Sequence, residues 1–376
     1  MTTAFDVIVL GAGPAGSAAA IGAARAGLRT AIVDRAVFPR DKLCGGLLTA
    51  RALARIDALA PLPPDALDRH DRIVFFRHGQ PLGEVSGCPP VHLTTRLSLD
   101  HHLLQAALAA GVTDLTGTRV AGIEAGHLRL HDGTAPGFSI LIGADGVASP
   151  TARHLFGRAF DHATIGFALE VETPPSDDRT LRIDFDAAVA GYGWRFPKSG
   201  GTTIGVGGLH RCNPDLGARM SDYLSLLGAS GSARVKGHFL PFGAVRRHPG
   251  RGNILLAGDA AGLVDPITGE GIAHALHSGS LAARACAEAL RAGSPGSAYG
   301  HYRRSLVPLH RELAWARMLR HLVFSPRAAD RFARAFRRSD PARQRYMRLL
   351  AGEMGYPAFV GLSLARLPRH LLAGRS

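Results

Sequence analysis

Gly11, Gly13 and Gly16, in the run GAGPAG, have the types and spacing of a phosphate cradle. Gly11 permits a tight turn, Gly13 lets backbone approach a pyrophosphate, and Gly16 lets the following helix pack closely on a sheet. Pro14 and Ala15 open that helix, whose free N–H groups and positive dipole end face the phosphates. Asp34 stands 18 residues after Gly16, where an acid accepts hydrogen bonds from ribose hydroxyls. Its neighbour Arg35 is assigned to the same end of the ligand. A lone GxGxxG is a weak signal, but this one has a strand before it and a helix after it. The competing reading is a set of turn glycines and a solvated acid.

Two later loops turn a dinucleotide site into a flavin site. GADG (143–146) follows an apolar strand and carries Asp145. GDAAG (258–262) follows NILLA and carries Gly258 and Asp259. A second strand-end carboxylate between small residues suits a ribityl chain. The run VDPITGEG (264–271) then brings Gly269 and Gly271 to the start of a helix at Ile272. N–H groups there can stabilise negative charge on the ring. The cofactor expected is FAD.

Other reactive residues are fewer. Cys44 and Gly45 lie in KLCGG, where Lys42 is a cation able to lower a thiol pKa. The alternative for Cys44 is a small buried hydrophobe. Tyr192 and Trp194 share a face if their segment is a strand, and either line an apolar substrate pocket or pack the core. His274 and His277 are expected to pack or cap. The four cysteines, 44, 88, 212 and 286, form no CxxC pair, so neither a disulfide framework nor a metal site is expected.

GAGPAG, GADG and GDAAGLVDPITGEG, in this order, resemble the flavoproteins related to para-hydroxybenzoate hydroxylase. Within that group KLCGG (42–46), Tyr192-Gly193-Trp194 with GVGG (205–208), and AGEMGYP (351–357) resemble the geranylgeranyl reductase family. The resemblance implies an FAD domain with an antiparallel substrate sheet over the ring, and reduction of isolated alkenes in isoprenoid chains. It also places Arg96, in RLSLD with Asp100, near the cofactor, and gives Cys44 a part in shaping the pocket or delivering a proton. In related flavin halogenases a Trp-x-Trp segment occupies the 192–194 region. Tyr192 and Phe196 depart from that pattern, which disfavours halogenation.

The elements that must position these residues are legible. Strands are expected at 6–10, 30–34 and 138–143, and helices at 14–26, 50–60 and 99–110. Residues 160–245 alternate, with a hairpin turn at 198–201. Beyond 270 the pattern is helical, interrupted at Pro308, Pro326, Pro341, Pro357 and Pro368. The fold class is α/β: a Rossmann-type FAD-binding domain (1–70, 95–160, 245–300), an inserted antiparallel substrate domain (71–94, 161–244) and a basic helical C-terminal region (301–376).

Charge separates the last part from the rest. The net charge is +14, and residues 301–376 hold 16 Arg and 4 acids, hence +12 of it. Arg331, Arg334 and Arg338 fall on one helical face, with Phe332 and Phe336 elsewhere. That face is either simply solvated, or meets an anionic membrane surface, or binds an acidic partner; nucleic acid is the weakest of these. No apolar run reaches the ~20 residues a membrane span needs, and a reduced, cytoplasmic setting is expected. No second dinucleotide loop is present, so NAD(P)H would visit transiently, with a ferredoxin or a quinol as other electron donors. Three activities fit: an FAD-dependent reductase of isoprenoid or similar apolar alkenes, an FAD-dependent monooxygenase acting on an aromatic or natural product, and a non-catalytic flavin-binding assembly partner.

Overall fold

The strand Ala4–Leu10 is apolar along almost its whole length, which is the pattern of a strand buried on both faces of a parallel sheet. The computed structural model, which describes residues 4–229, 234–243 and 245–364, places it at the centre of such a sheet. It pairs in parallel with Thr30–Asp34 on one side and Gly137–Gly143 on the other, Val9 standing between Ile32 and Ile142. Thr113–Thr116 and Ile254–Leu256 extend the sheet in parallel at its two ends. Val7 and Val9 face a core shared with the helices Pro14–Arg25 and Ile272–Arg291. Ile8 and Leu10 face the opposite layer, an antiparallel hairpin formed by Val120–Glu124 and His127–Leu130.

The two helices approach unusually closely. A Cβ on Gly279 would run into the Ala15 carbonyl oxygen, so that crossing requires a glycine. It brings the start of the helix Ile272–Arg291 and the GDAAG turn against the phosphate loop.

The second sheet also has eight strands. Its order runs Lys236–Leu240, Gly166–Thr173, Gly201–Leu209, Gly191–Lys198, Leu181–Phe185, Asp68–Arg77, Gln80–Leu93 and Leu47–Leu48. The expected hairpin is a two-residue connection that pairs Lys198 with Gly201. One face is closed by the helix Leu216–Leu226, through Leu216, Met220 and Tyr223 against Val171, Ile204 and Val206. The other carries Tyr192, Trp194 and Phe196, and looks toward the parallel sheet.

The C-terminal helices Val307–Phe324, Pro326–Arg338, Asp340–Ala351 and Tyr356–Leu364 continue this second core. Four of the prolines noted in the sequence lie in the first turn of these helices. Their missing N–H costs nothing there, so they set where each helix begins. Pro368 lies outside the described residues. Phe336 is fully buried against Phe75, Phe185 and Tyr346, and Phe332 stacks beside it. Arg331, Arg334 and Arg338 are exposed on the other side. The apolar stripe of that helix is therefore already committed to the core, leaving charge alone on its outer face. Among the described residues no helix is long and apolar enough to cross a membrane.

Candidate cofactor and substrate site

The phosphate loop is shaped by close backbone contacts. Gly11 adopts φ +104°, and a Cβ there would strike the Ala144 carbonyl of the GADG turn. A Cβ on Gly16 would land on the Gly11 carbonyl oxygen. Asp34 ties the next strand to this loop: Ala12 N–H donates to its Oδ2 at 2.8 Å and Ala36 N–H to its Oδ1 at 2.9 Å. Each carboxylate oxygen keeps a further lone pair for a ribose hydroxyl. Arg35 is exposed beside it.

Two guanidiniums converge on one carboxylate next to Gly13. Arg96 donates twice to Asp100, at 2.7 Å each, and Arg40 reaches the same Asp100 at 2.7 Å. Asp100 is fully buried. Against burial, which acts to lower it, Asp100 holds the Arg96 pKa above its ordinary value. The trio carries a net positive charge. The Cβ position of Gly13 lies 3.5 Å from Arg96 Nη2 and 3.9 Å from Arg40 Nη2. Arg40 Nη1 is buried with no hydrogen-bond partner among the described residues. A buried, unpaired cationic donor is costly unless an anion meets it. A pyrophosphate over Gly13 supplies that anion, so the residues fit FAD at this point.

The opposite end of the cradle is polar and half-buried. Lys42 Nζ lies 3.8 Å from Asp259 Oδ2, and Asp259 Oδ1 is 4.0 Å from the Cβ position of Gly271. Burial, then Arg96, lowers the Lys42 pKa. Burial, then Lys42, pushes His238 down to about 4, so it faces this site as a neutral imidazole. Gly258, at φ +59°, brings its turn onto Ala15, whose Cβ is 2.9 Å from where a Gly258 Cβ would be.

The loop from Asp265 to Gly271 is fixed from both sides. Asp265 accepts from Ile267 N–H and Thr268 N–H at 2.8 and 3.0 Å. Its carboxylate also meets the Tyr356 hydroxyl at 2.9 and 2.7 Å, so AGEMGYP in the C-terminal region reaches the cofactor loop directly. Glu270 accepts from Thr49 Oγ1 at 2.7 Å and from Ala273 N–H at 3.0 Å. Gly269 is at φ +73°, and a Cβ there would collide with the Tyr192 hydroxyl, which donates to Thr268 O at 2.9 Å. Ile272, behind Gly271, is buried with Leu48 and Leu276.

Asp145 has a different geometry. Its Oδ2 accepts from the backbone N–H and the hydroxyl of Thr151, at 2.9 and 2.7 Å, while Oδ1 is buried without a partner among the described residues. It orders the GADG turn that presses on Gly11. His274 is buried and held near 3 by that burial, and His277 contacts Arg55 at 2.8 Å. Both lie along the helix after Gly271.

The GVGG run acquires a physical reason on the inner face of the second sheet. Trp194 pairs with Gly205, and Tyr192 with Gly207. With side chains alternating, Gly205 and Gly207 lie on the same face as those aromatics. The Trp194 indole occupies the space a Gly205 Cβ would need. The KLCGG loop closes over this face: a Cβ on Gly45 would sit 2.7 Å from the Phe196 ring and 3.3 Å from Trp194 Nε1. Cys44 packs on the cluster of Leu48, Leu99 and Ile272. Gly205→Val should therefore expel the indole, costing about 1–3 kcal/mol of stability while leaving the phosphate loop untouched. Thermal melts of FAD-loaded and FAD-stripped protein check this: the variant melts lower yet still gains stability when FAD is added.

Sequence reasoning missed four residues of this site: Arg40, His238, Glu170 and the partner role of Tyr356. Glu170 is 5% exposed on the same face as Trp194, and its Cγ lies 2.8 Å from the Cβ position of Gly205. Burial pushes its pKa up to about 8.

Comparisons with known proteins agree with this geometry. Residues 6–69 match the FAD dependent oxidoreductase family. The chain is 38% identical over 312 residues to a menaquinone reductase of Mycobacterium tuberculosis, covering 74% of this chain and 75% of that one. It is 33% identical over 317 residues to a digeranylgeranylglycerophospholipid reductase of Methanopyrus kandleri, covering 76% and 81%. Among solved structures, a geranylgeranyl bacteriochlorophyll reductase-like protein from Thermoplasma acidophilum shares the fold at TM-score 0.79 and 20% identity, covering 97% of this chain and 100% of that one. The phosphate loop, the paired sheets and these relatives together place the chain in the geranylgeranyl reductase family of FAD-dependent oxidoreductases.

Proposed function

We propose that this enzyme hydrogenates isolated C=C bonds in a polyprenyl chain carried by an apolar substrate. The observation that carries the reading is the aromatic face of Tyr192, Trp194 and Phe196, closed by the Cys44 loop beside the cofactor cradle. An apolar wall with few polar groups suits a hydrocarbon chain better than a polar aromatic. The compounds in the relatives' names, menaquinone and the geranylgeranyl lipids, share a polyprenyl chain.

In this reading Gly11, Gly13, Pro14, Ala15 and Gly16 cradle the pyrophosphate with Arg40 and Arg96. Asp34 and Arg35 hold the adenosine end, and Asp145 positions the GADG turn. Gly258 and Asp259 hold the ribityl chain, and Gly45, Gly269, Gly271 and Ile272 line the ring. Bound FAD supplies the two-electron chemistry. The chain itself orients the alkene between Tyr192, Trp194 and the Cys44 loop, excludes water, and manages one proton. Cys44 lines the reacting end, where its thiol can pass that proton. Electrons arrive from NAD(P)H, a ferredoxin or a quinol visiting transiently. The exposed Arg face of the C-terminal helices offers a peripheral contact to an anionic membrane in which such a substrate resides.

The test is anaerobic turnover of the reduced protein with polyprenyl substrates of graded length, followed by mass spectrometry. Each double bond reduced should add the mass of two hydrogen atoms. Addition of one oxygen atom under air would instead establish a monooxygenase. Cys44→Ala should slow turnover while FAD stays bound at full stoichiometry, and unchanged turnover would remove the thiol from the reaction.

A further inference from the structure

We propose that Glu170 is the acid that supplies the proton for alkene reduction, buried beside the Trp194 indole in the space left by Gly205. The proposal rests on the alkene reading above and adds a residue to it.

Glu170 lies in the middle of the strand Gly166–Thr173, directly across from Gly205, which in turn pairs with Trp194. The missing side chain at Gly205 lets both neighbours lean over the same spot: Glu170 Cγ is 2.8 Å from that Cβ position, and the indole fills the other side. The side chain thus sits beside the Trp194 indole, whose Nε1 is 3.3 Å from the Cβ position of Gly45 in the KLCGG loop. Removed from water, it stays protonated at neutral pH, because burial outweighs the opposing pull of Lys198. The charged and titratable groups that act on it are Lys198 and Tyr192, with Glu172 two residues along its own strand. A protonated carboxyl on an aromatic face is poised as a general acid.

Polar groups also connect it to solvent. Glu172, more than half exposed, accepts from Thr203 Oγ1 at 2.6 Å, and Thr203 Oγ1 also contacts the buried Lys198 ammonium. Glu172, Thr203 and Lys198 form a connected polar chain leading inward from the surface, and the Lys198 ammonium acts electrostatically on the carboxyl; in this proposal a spent proton is replaced along it.

The balance closes. One alkene carbon receives a hydride equivalent drawn from reduced FAD, and the other receives the Glu170 proton. The C=C π bond, the bond that held the hydride in reduced FAD and the Glu170 O–H bond break; two C–H bonds form, the alkene is reduced by two electrons and FAD is left oxidised. Glu170, left as a carboxylate, takes a proton from solvent past Glu172. If the Cys44 thiol stands in line it accepts one proton and donates one, with no net change.

The experiment compares FAD-loaded wild type, Glu170→Gln, Glu170→Asp and Cys44→Ala. Infrared difference spectra against pH should show a protonated-carboxyl band in wild type that is lost with a midpoint near 8, persists in Cys44→Ala and is absent in Glu170→Gln. Melting temperature gives a second readout independent of turnover. The folded carboxyl keeps a proton that the unfolded chain releases, so wild-type stability falls between the ordinary carboxyl pKa and about 8. Glu170→Gln lacks that slope and should gain on wild type as pH rises through this window. In single turnovers, Glu170→Gln should bind and reduce FAD normally yet form saturated product at least ~100-fold more slowly, with Glu170→Asp recovering part of the rate. Product formation in Glu170→Gln equal to wild type overturns the proposal, as does the absence of a carboxyl band at pH 7 that the Gln variant removes. A wild type inert toward polyprenyl alkenes overturns the alkene reading together with this inference, whereas an active wild type matched by an active Gln variant overturns Glu170 alone.

Discussion

Gly16→Ala should yield protein without flavin colour. The added methyl would occupy the position of the Gly11 carbonyl oxygen, and neither group is the flexible end of a side chain. Relief requires the helix Pro14–Arg25 to move away from the strand Ala4–Leu10, which carries Gly13 and its N–H groups off the pyrophosphate position. Overpacking a tight core costs about 1–3 kcal/mol, and displacement of the phosphate contacts adds to it. FAD affinity is expected to fall on the order of 10–100-fold or more. Fluorescence titration of stripped protein with FAD measures this directly. Gly217→Ala is the control: its Cβ position, in the helix Leu216–Leu226, is open, and alanine there should be neutral or slightly stabilising. Wild-type affinity in Gly16→Ala would mean that the loop is not the pyrophosphate site.

That contact also shows why so much of the candidate site's local geometry was legible in the sequence. Gly11, Gly13, Gly16 and Asp34 act within one strand–turn–helix–strand unit, so their spacing along the chain dictates their geometry. The same holds for Gly258 and for the run 264–271. What escaped were partners brought together across the fold. Arg40 and Asp100 meet from separate elements, and Tyr356 reaches Asp265 across 91 residues of chain. No local pattern encodes such pairings.

Glu170 escaped for a more instructive reason. In the strand Gly166–Thr173 the residues Phe167, Leu169 and Val171 form one alternating set, and Ala168, Glu170 and Glu172 the other. Alternation normally assigns the polar set to water. Phe167, Leu169 and Val171 do pack on the helix Leu216–Leu226, as the pattern implies. The other face meets the KLCGG loop, so Glu172 at the rim stays exposed while Glu170 is buried. The alternation is that of a strand, and only tertiary closure decided which side was wet.

Asp100→Asn should cost more stability than any surface change, and FAD should restore an unusual share of it. In wild type, Asp100 neutralises one of two guanidiniums that lie within 4 Å of the Gly13 Cβ position. An amide there leaves Arg40 and Arg96 side by side with no anion between them. Breaking a buried pair by removing one partner typically costs about 3–5 kcal/mol, because the remaining charge is uncompensated. The FAD pyrophosphate is the other anion on offer. Binding would then supply compensation that wild type already has, so the FAD-induced rise in melting temperature should be larger in Asp100→Asn than in wild type. Arg40→Met gives the opposite signature. It keeps the Arg96–Asp100 pair, removes the unpartnered Nη1, and should weaken FAD binding with little change in the stability of the stripped protein. Differential scanning of stripped and loaded forms of the three proteins decides the matter. An FAD-induced shift that is the same in Asp100→Asn as in wild type would mean the guanidiniums do not face the cofactor phosphates at all.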